Sequence, residues 1–154
     1  MNGKWSINSL MASLQVSTKK YSYKDFLPFF LGPVKISLSR ESEKNIQRSQ
    51  KYLLHNLKEK RSIYGVNTGF GNLSHILIDS NDTEKLQINL IRSHASGVGE
   101  PLSLGVVRTV MFLKLLTFAK GYSGVSLELI KKIIQLFNKD ILPVIPKRGS
   151  VGAS

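Results

Sequence analysis

Residues 103–120 are apolar on nearly every side, and the only charged residues among them are Arg108, Lys114 and Lys120. Apolar residues all around the helical period are typical of a helix buried among other helices. Because Arg108 and Lys114 interrupt it, the stretch lacks the continuous apolar length of a membrane span. The sequence therefore predicts a mainly α protein with no membrane partner.

Three further segments have the apolar spacing of helices that pack on one side. One begins after Ser39, with acidic residues in its first turn and basic residues in its last, an order that suits the helix dipole. A second begins at Ser80 or Asp82, and a third is capped by Ser126. The predicted buried positions are Ile46, Leu53, Leu54, Leu57, Leu86, Leu90, His94, Ile130, Ile133, Ile134 and Phe137.

The sequence before Ser39 predicts a small α+β segment behind a polar leader. Residues 1–22 show no apolar period and are expected to form a loose leader. Residues 23–31 fit a short helix, and residues 34–38 alternate as a strand does. The leader lacks the pattern of a signal peptide, and the chain has no cysteine. Both features fit a protein of the reducing cytoplasm.

The formal net charge of +12 raises the question of an anionic partner. The basic side chains are scattered over the polar faces of the predicted helices, and aromatic residues do not alternate with them as a base-stacking surface requires. This pattern does not favour nucleic acid. Two alternatives stay open here: a non-catalytic helical module that binds through its basic surface, and an acidic remainder of the protein outside this sequence.

A glycine-bearing loop, residues 62–74, contains Tyr64 and Gly71. Glycines let the backbone approach a ligand closely, and a phenol there acts as acid or base if its pKa is lowered. The alternative is a flexible turn with one aromatic anchor. The glycine order is not that of a dinucleotide-binding loop.

The three histidines do not have the spacing of metal ligands, so no metal site is expected. His94 lies on the apolar face of its predicted helix, where a histidine is more often a hydrogen-bonded core residue than a catalytic one. Arg92 points to another face and is predicted to be structural or solvated.

Four segments, taken in order, resemble the aromatic amino acid lyase family, which includes the histidine, phenylalanine and tyrosine ammonia-lyases and the related aminomutases. They are residues 64–71 (YGVNTGFG), 92–99 (RSHASGVG), 120–125 (KGYSGV) and 147–154 (KRGSVGAS). Their order and spacing match the N-terminal part of the family over residues 23–154. The resemblance implies the N-terminal portion of an ammonia-lyase-type helical fold.

The resemblance implies a prosthetic group made from the protein's own backbone. In the family, an Ala-Ser-Gly tripeptide cyclises with loss of water to a methylidene-imidazolone (MIO) ring, an electrophile that requires no external cofactor. Ala153 and Ser154 match the first two residues of this tripeptide, as catalytic residues and precursors of the ring. Such a tight, strained turn requires small residues.

The resemblance also implies roles for upstream residues. Tyr64 matches the base that removes a proton from the substrate β-carbon, on a mobile loop that closes over the site. Gly71, Ser93 and His94 match substrate-binding positions, and the Ser93-His94 pair resembles that of the histidine ammonia-lyases. An imidazole there can bond a substrate imidazole or phenol, whereas a phenylalanine ring would leave it unpaired.

The favoured activity is therefore elimination of ammonia from L-histidine to give urocanate, a step of histidine catabolism. Tyrosine or phenylalanine ammonia-lyase and aminomutase are the alternatives. The glycine that completes the tripeptide does not follow Ser154 in this sequence. We therefore expect a lyase domain truncated within the Ala-Ser-Gly motif and inactive alone, from a protein that is a homotetramer when intact.

Overall fold

The computed structural model describes residues 13–149, apart from the side chains at positions 73, 80 and 81. The chain divides into two compact units. The first contains the described residues up to Ser49 together with Ser103–Pro143. The second contains Gln50–Leu102 and the described residues from Val144 onward.

A two-stranded parallel sheet opens the first unit. Strand β1 (Ser13–Val16) pairs with β2 (Lys35–Leu38), so that Val16 lies opposite Leu38. The expectation of a loose leader does not hold for residues 13–16, because pairing with β2 orders their backbone and buries Val16 completely. Residues 1–12 lie outside the described range, and the domain boundary after residue 22 stays a prediction.

Two short helices join these strands and a long one follows. A 3-10 helix (Tyr23–Phe26) precedes α1 (Pro28–Leu31), within the segment predicted to be helical. Helix α2 (Arg40–Lys58) begins as predicted, since the Oγ atom of Ser39 accepts a hydrogen bond from the N–H of Ser42 at 3.1 Å. It starts in the first unit and continues into the second.

The core of the first unit gathers around α4 (Leu104–Ala119) and α5 (Leu127–Asn138). Phe112 is completely buried, and its ring centroid lies 5.1 Å from that of Phe29. Ser126 caps α5 as predicted, because its Oγ atom accepts from the N–H of Leu129 at 3.1 Å. The other buried members are Val16, Val34, Ile36, Ile46, Leu115, Phe118, Ala119, Ile130 and Phe137.

The apolar helix α4 is not covered on every side. Leu104, Val110 and Leu113 are exposed in the described part of the chain. In α2 the predicted buried face is confirmed at Ile46, whereas Leu54 is exposed. Helical period alone does not identify which apolar side chains find a neighbour, because that depends on the elements packed against the helix.

The second unit contains α3 (Ser80–His94) and an antiparallel ribbon of β3 (Val98–Pro101) with β4 (Pro146–Arg148). The sequence predicted only a glycine break after His94. A strand forms there because β4, far along the chain, supplies the hydrogen-bonding partners. Every residue of β3 is exposed, so no alternation of burial marks it. The described chain is nevertheless mainly α, as predicted.

Candidate active site

Tyr64 occupies the second position of a tight turn that starts at Ile63. The N–H of Val66 donates to the carbonyl of Ile63 at 3.0 Å, and Gly65 has a φ of +75°. A positive φ at the third position is what a type II turn requires, and glycine adopts it without strain. The Tyr64 side chain at this turn is 62% exposed, and its ring meets Phe70 edge-on, with 5.8 Å between centroids.

The loop behind this turn is fastened at its middle. Thr68 forms an antiparallel bridge with Leu77, and the N–H of Gly69 donates to the carbonyl of Ile76 at 3.1 Å. The Thr68 hydroxyl, which is fully buried, accepts from the N–H of Gly65 at 3.3 Å and donates to the carbonyl of Gly69 at 2.9 Å. Residues 63–69 therefore form a hydrogen-bonded loop whose exposed member is a tyrosine.

Gly71 begins a 3-10 helix (Gly71–Leu73) with a φ of +55°. A β-carbon built at this position would meet nothing within 4 Å. Glycine is therefore favoured by the backbone conformation and not by crowding. The open space in front of Gly71 leaves its backbone accessible, which is the property that the substrate-binding assignment needs.

Ser93 and His94 lie together at the end of α3. The Ser93 hydroxyl donates to the carbonyl of Leu90 at 2.9 Å, and Nδ1 of His94 lies 2.9 Å from both that carbonyl and the Ser93 Oγ atom. Because a carbonyl only accepts, these contacts place the proton of a neutral ring on Nδ1. Nε2 then keeps its lone pair. His94 is exposed, so its prediction as a buried residue of the apolar face is wrong.

The ribbon joins the His94 region to the segment before Ala153. Val98 pairs with Arg148 and Pro101 pairs with Pro146. In an antiparallel pair, the chain before Val98 and the chain after Arg148 leave by the same end. Residues 93–97 and the residues that follow Arg148 therefore start from one end of the ribbon.

Gly97, just before β3, packs closely against Pro146 of β4. A β-carbon built on Gly97 would lie 3.0 Å from Cγ of Pro146 and 3.4 Å from its Cβ and Cδ atoms. Just beyond the pair of Pro101 and Pro146, the N–H of Leu102 donates to the carbonyl of Ile145 at 2.8 Å. Ala153 and Ser154 lie outside the described residues, so their assignment as ring precursors stays a prediction.

The predicted site residues thus fall into separate groups. Ser93 and His94 contact each other, and Tyr64 contacts Phe70. Among residues 13–149, no hydrogen bond or ring contact joins Tyr64 or Gly71 to His94. Sequence reasoning missed Asn67, whose Oδ1 atom accepts a hydrogen bond from the N–H of Ile63 at 2.8 Å, although asparagine commonly bonds to nearby backbone in turns.

A cleft of about 690 Å³ opens beside the Tyr64 loop in the second unit. Tyr64, Ser93 and His94 do not line it. Its lining consists of Leu57, Lys58, Lys60, Val66, Asn67, Leu77, Ile78, Asp79 and Thr83.

Among the described residues, no cluster of three or more histidine, aspartate or glutamate side chains could hold a metal ion. No described helix is long and apolar enough to cross a membrane.

Residues 22–154 match the family described as aromatic amino acid lyase. A histidine ammonia-lyase of Homo sapiens is 40% identical over 141 residues, which cover 92% of this chain and 22% of that protein.

The chain is also similar to solved structures of an aminomutase and an ammonia-lyase. A tyrosine aminomutase from Streptomyces globisporus superposes with a TM-score of 0.82 and 28% identity, covering 90% of this chain and 26% of the other. A histidine ammonia-lyase from Trypanosoma cruzi superposes with a TM-score of 0.78 and 29% identity, covering 91% and 27%. The chain therefore spans about a quarter of the length of these proteins.

Proposed function

The chain belongs to the aromatic amino acid lyase family, and we propose that it is the N-terminal part of an ammonia-lyase acting on L-histidine. The reaction is the non-oxidative elimination of ammonia to give urocanate. The proposal rests on the similarity to histidine ammonia-lyases and on the residues at one end of the β3–β4 ribbon. Tyrosine or phenylalanine ammonia-lyase and aminomutase are the alternatives within the family.

The observation that carries the proposal is the register of Val98 against Arg148. It gives the Ser93-His94 pair and the segment that leads to Ala153 and Ser154 a common starting point. A substrate pocket residue and a prosthetic group must lie close to one another to act on one small molecule. The ribbon supplies a physical reason for two sequence segments more than fifty residues apart to serve one site.

Ala153 and Ser154 would contribute the prosthetic group of the intact protein. Two of the three residue types of the family's tripeptide stand at these positions, and a glycine-bearing approach permits the tight turn that cyclisation needs. When formed, an MIO ring supplies an electrophile that makes the substrate's amino group a better leaving group. We propose no metal in this chemistry.

Tyr64 is the proposed base. Its phenol lies at the tip of a hydrogen-bonded turn and is exposed, so the side chain is free to meet a substrate. In this role its phenolate form accepts the proton from the substrate's β-carbon, while Gly71 offers unobstructed backbone to the bound molecule. Proton transfer by a positioned side chain typically contributes about 10²–10⁴-fold to a rate.

The contacts of His94 favour a substrate that carries a hydrogen-bond donor. In a neutral ring with its proton on Nδ1, the Nε2 atom accepts a hydrogen bond. The imidazole N–H of histidine and the hydroxyl of tyrosine are both donors that could satisfy it, whereas the phenylalanine ring has none. In the intact protein, a closed site that excludes water from Nε2 would discriminate against a ligand that lacks the donor.

We extend the proposal to the intact protein's assembly and location. A homotetramer in the cytoplasm fits the family resemblance and the absence of cysteine. The 154-residue chain alone is expected to be inactive, since it spans about a quarter of the length of the family members compared above.

The test begins with the coding DNA beyond Ser154, which defines the longer protein to be expressed. That protein is incubated with L-histidine, L-tyrosine or L-phenylalanine while the absorbance of the unsaturated product is followed. We expect urocanate from L-histidine, and a loss of about 100-fold or more with Tyr64→Phe. The 154-residue chain, assayed in parallel, should give no product.

The absence of product from all three amino acids would overturn the proposal, as would an unchanged rate in Tyr64→Phe. Coumarate from L-tyrosine without urocanate would move the assignment to the tyrosine alternative. A reading frame that stops after Ser154 would also overturn the proposal that this chain is part of a longer lyase.

A further inference from the structure

Asn67 uses both polar atoms of its side chain to close the backbone around Tyr64. Its Oδ1 atom accepts a hydrogen bond from the N–H of Ile63 at 2.8 Å, and its Nδ2 group donates to the carbonyl of Arg61 at 2.9 Å. Both partners precede Tyr64 in the chain, whereas Asn67 follows it. The side chain therefore spans the base of the turn that carries Tyr64.

The backbone of Asn67 adds two bonds to the same frame. Its N–H donates to the carbonyl of Ile63 at 3.2 Å, and its carbonyl accepts from the N–H of Ile78 at 2.9 Å. The first bond closes the turn, and the second ties it to the segment paired with Thr68. One residue thus connects the start of the turn, its end and the opposite side of the loop.

We propose that Asn67 is a positioning residue for Tyr64, so that the loop holding the tyrosine keeps its internal geometry when it moves. This inference rests on the proposed function for its catalytic meaning. The hydrogen bonds themselves do not depend on that function. They join Arg61, Ile63, Asn67 and Ile78, so the turn can keep its internal bonds when the loop is displaced.

These hydrogen bonds matter for the proposed chemistry because they restrict the position of the Tyr64 phenol oxygen. The Tyr64 side chain is exposed, so few contacts of its own restrain it; the orientation of its backbone is therefore set by the turn. A misplacement of about 1 Å at a reacting group can lower a rate about 100-fold. A turn fixed by Asn67 limits that error before substrate arrives.

The first test compares Asn67→Ala with Asn72→Ala in the 154-residue chain. Asn72 is an exposed asparagine of the same loop, and its side chain makes no hydrogen bond to other described residues. Hydrogen–deuterium exchange is measured by mass spectrometry for peptides that cover residues 61–78. Because two side-chain hydrogen bonds are lost, we expect exchange about tenfold faster in Asn67→Ala and unchanged exchange in Asn72→Ala.

A spectroscopic measurement follows the tyrosine itself. Fluorotyrosine is incorporated throughout, and the resonance of Tyr64 is assigned by its loss in Tyr64→Phe. In Asn67→Ala this resonance should shift and narrow as the turn loosens, whereas the resonances of the other tyrosines stay in place. Asn67→Asp keeps the acceptor for Ile63 but loses the donor to Arg61, so its exchange should lie between those of the wild type and Asn67→Ala.

Two results would overturn the inference. One is an Asn67→Ala chain whose exchange and Tyr64 resonance match those of Asn72→Ala. The other is loss of protection throughout α3 and the ribbon in both Asn67 variants, which would make Asn67 a general stability residue. Neither measurement requires catalysis. If the longer protein shows no lyase activity, the exchange rates and the Tyr64 resonance still test the role of Asn67 in the turn.

In a catalytically active longer protein, measurements of kcat and KM distinguish a positioning role of Asn67 from a role in substrate binding. Asn67→Ala should lower kcat about tenfold or more while KM changes by less than about twofold. An unchanged kcat would contradict the positioning role even if the exchange rates differ.

Discussion

Arg108 and Asp140 form a two-pronged ion pair in the first unit. The Nε and Nη2 groups of Arg108 donate to the two carboxylate oxygens of Asp140, each at 3.0 Å, and Nη1 donates to the carbonyl of Phe29 at 3.1 Å. Arg108 is only 6% exposed. The charge that interrupts the apolar pattern of α4 is therefore part of the core and not of the solvated surface.

Loss of the Asp140 carboxylate should destabilise the first unit. Asp140→Ala leaves a buried guanidinium without its counter-charge, and because Asp140 is itself partly exposed, we expect a cost of about 2–3 kcal/mol. Asp140 has a φ of +55°, a conformation that asparagine also tolerates. Asp140→Asn therefore separates the effect of charge from that of backbone and should cost less.

Urea unfolding followed by circular dichroism measures both Asp140 variants against the wild type. If the free energy of unfolding of Asp140→Ala equals that of the wild type, the predicted contribution of the Arg108–Asp140 ion pair to stability is contradicted. A cost in Asp140→Asn as large as that in Asp140→Ala would assign the whole effect to the charge.

Gly105→Ala should destabilise the protein, although alanine is the better helix former. A β-carbon on Gly105 would lie 2.5 Å from Cδ1 and 2.9 Å from Cγ of Phe30, and 3.0 Å from its Cα atom. Helix propensity alone predicts a gain of about 1 kcal/mol, whereas overpacking costs about 1–3 kcal/mol. The close backbone atom limits relief by rotation of the ring, so we expect a net loss.

The thermal midpoint gives the sign of this effect. Gly32→Ala is the matched control, since a β-carbon at Gly32 meets nothing within 4 Å and should leave the midpoint nearly unchanged. A higher midpoint for Gly105→Ala would mean that α1 moves away from α4 at little cost.

The 154-residue chain should associate with itself in solution. Leu31 is 90% exposed, and Phe30 and Leu104 are more than half exposed in the same unit. Large exposed apolar side chains of this kind favour association. Size-exclusion chromatography with light scattering should detect oligomers or aggregates, and Leu31→Glu should raise the monomer fraction.

Tyr122→Glu is the control for self-association, because Tyr122 is a strongly exposed aromatic residue on a different segment. The prediction requires Leu31→Glu to have the larger effect. A compact wild-type monomer at working concentration would contradict it.

Local sequence signals identified the helices well. The Ser39 and Ser126 caps, the apolar period of α5 and the strand at Lys35–Leu38 each depend on neighbouring residues, and the structure confirms them. The family resemblance likewise follows from four short motifs. By contrast, the roles of Tyr64, His94 and Ala153 stay predictions.

Contacts between segments that are distant in the sequence could not be predicted from local sequence patterns. Asn138 illustrates this: its Oδ1 atom accepts from the N–H of Ile36 at 2.7 Å, and its Nδ2 group donates to the carbonyl of Ile36 at 2.9 Å, so that it acts as a neighbouring strand for β2. Nothing near Asn138 in the sequence indicates this partner. Strand β1 escaped prediction for the same reason, since its order depends on pairing with β2.

The sequence by itself determined where α2 and α5 begin, and which family the chain resembles, because capping and short motifs are local properties. Only the tertiary structure decided that Arg108 is buried against Asp140 and that Val98 lies opposite Arg148. It also decided that His94 is exposed with its Nδ1 atom bonded within α3. The physical reason is that a side chain's charge, hydrogen bonding and burial depend on which distant segment packs against it.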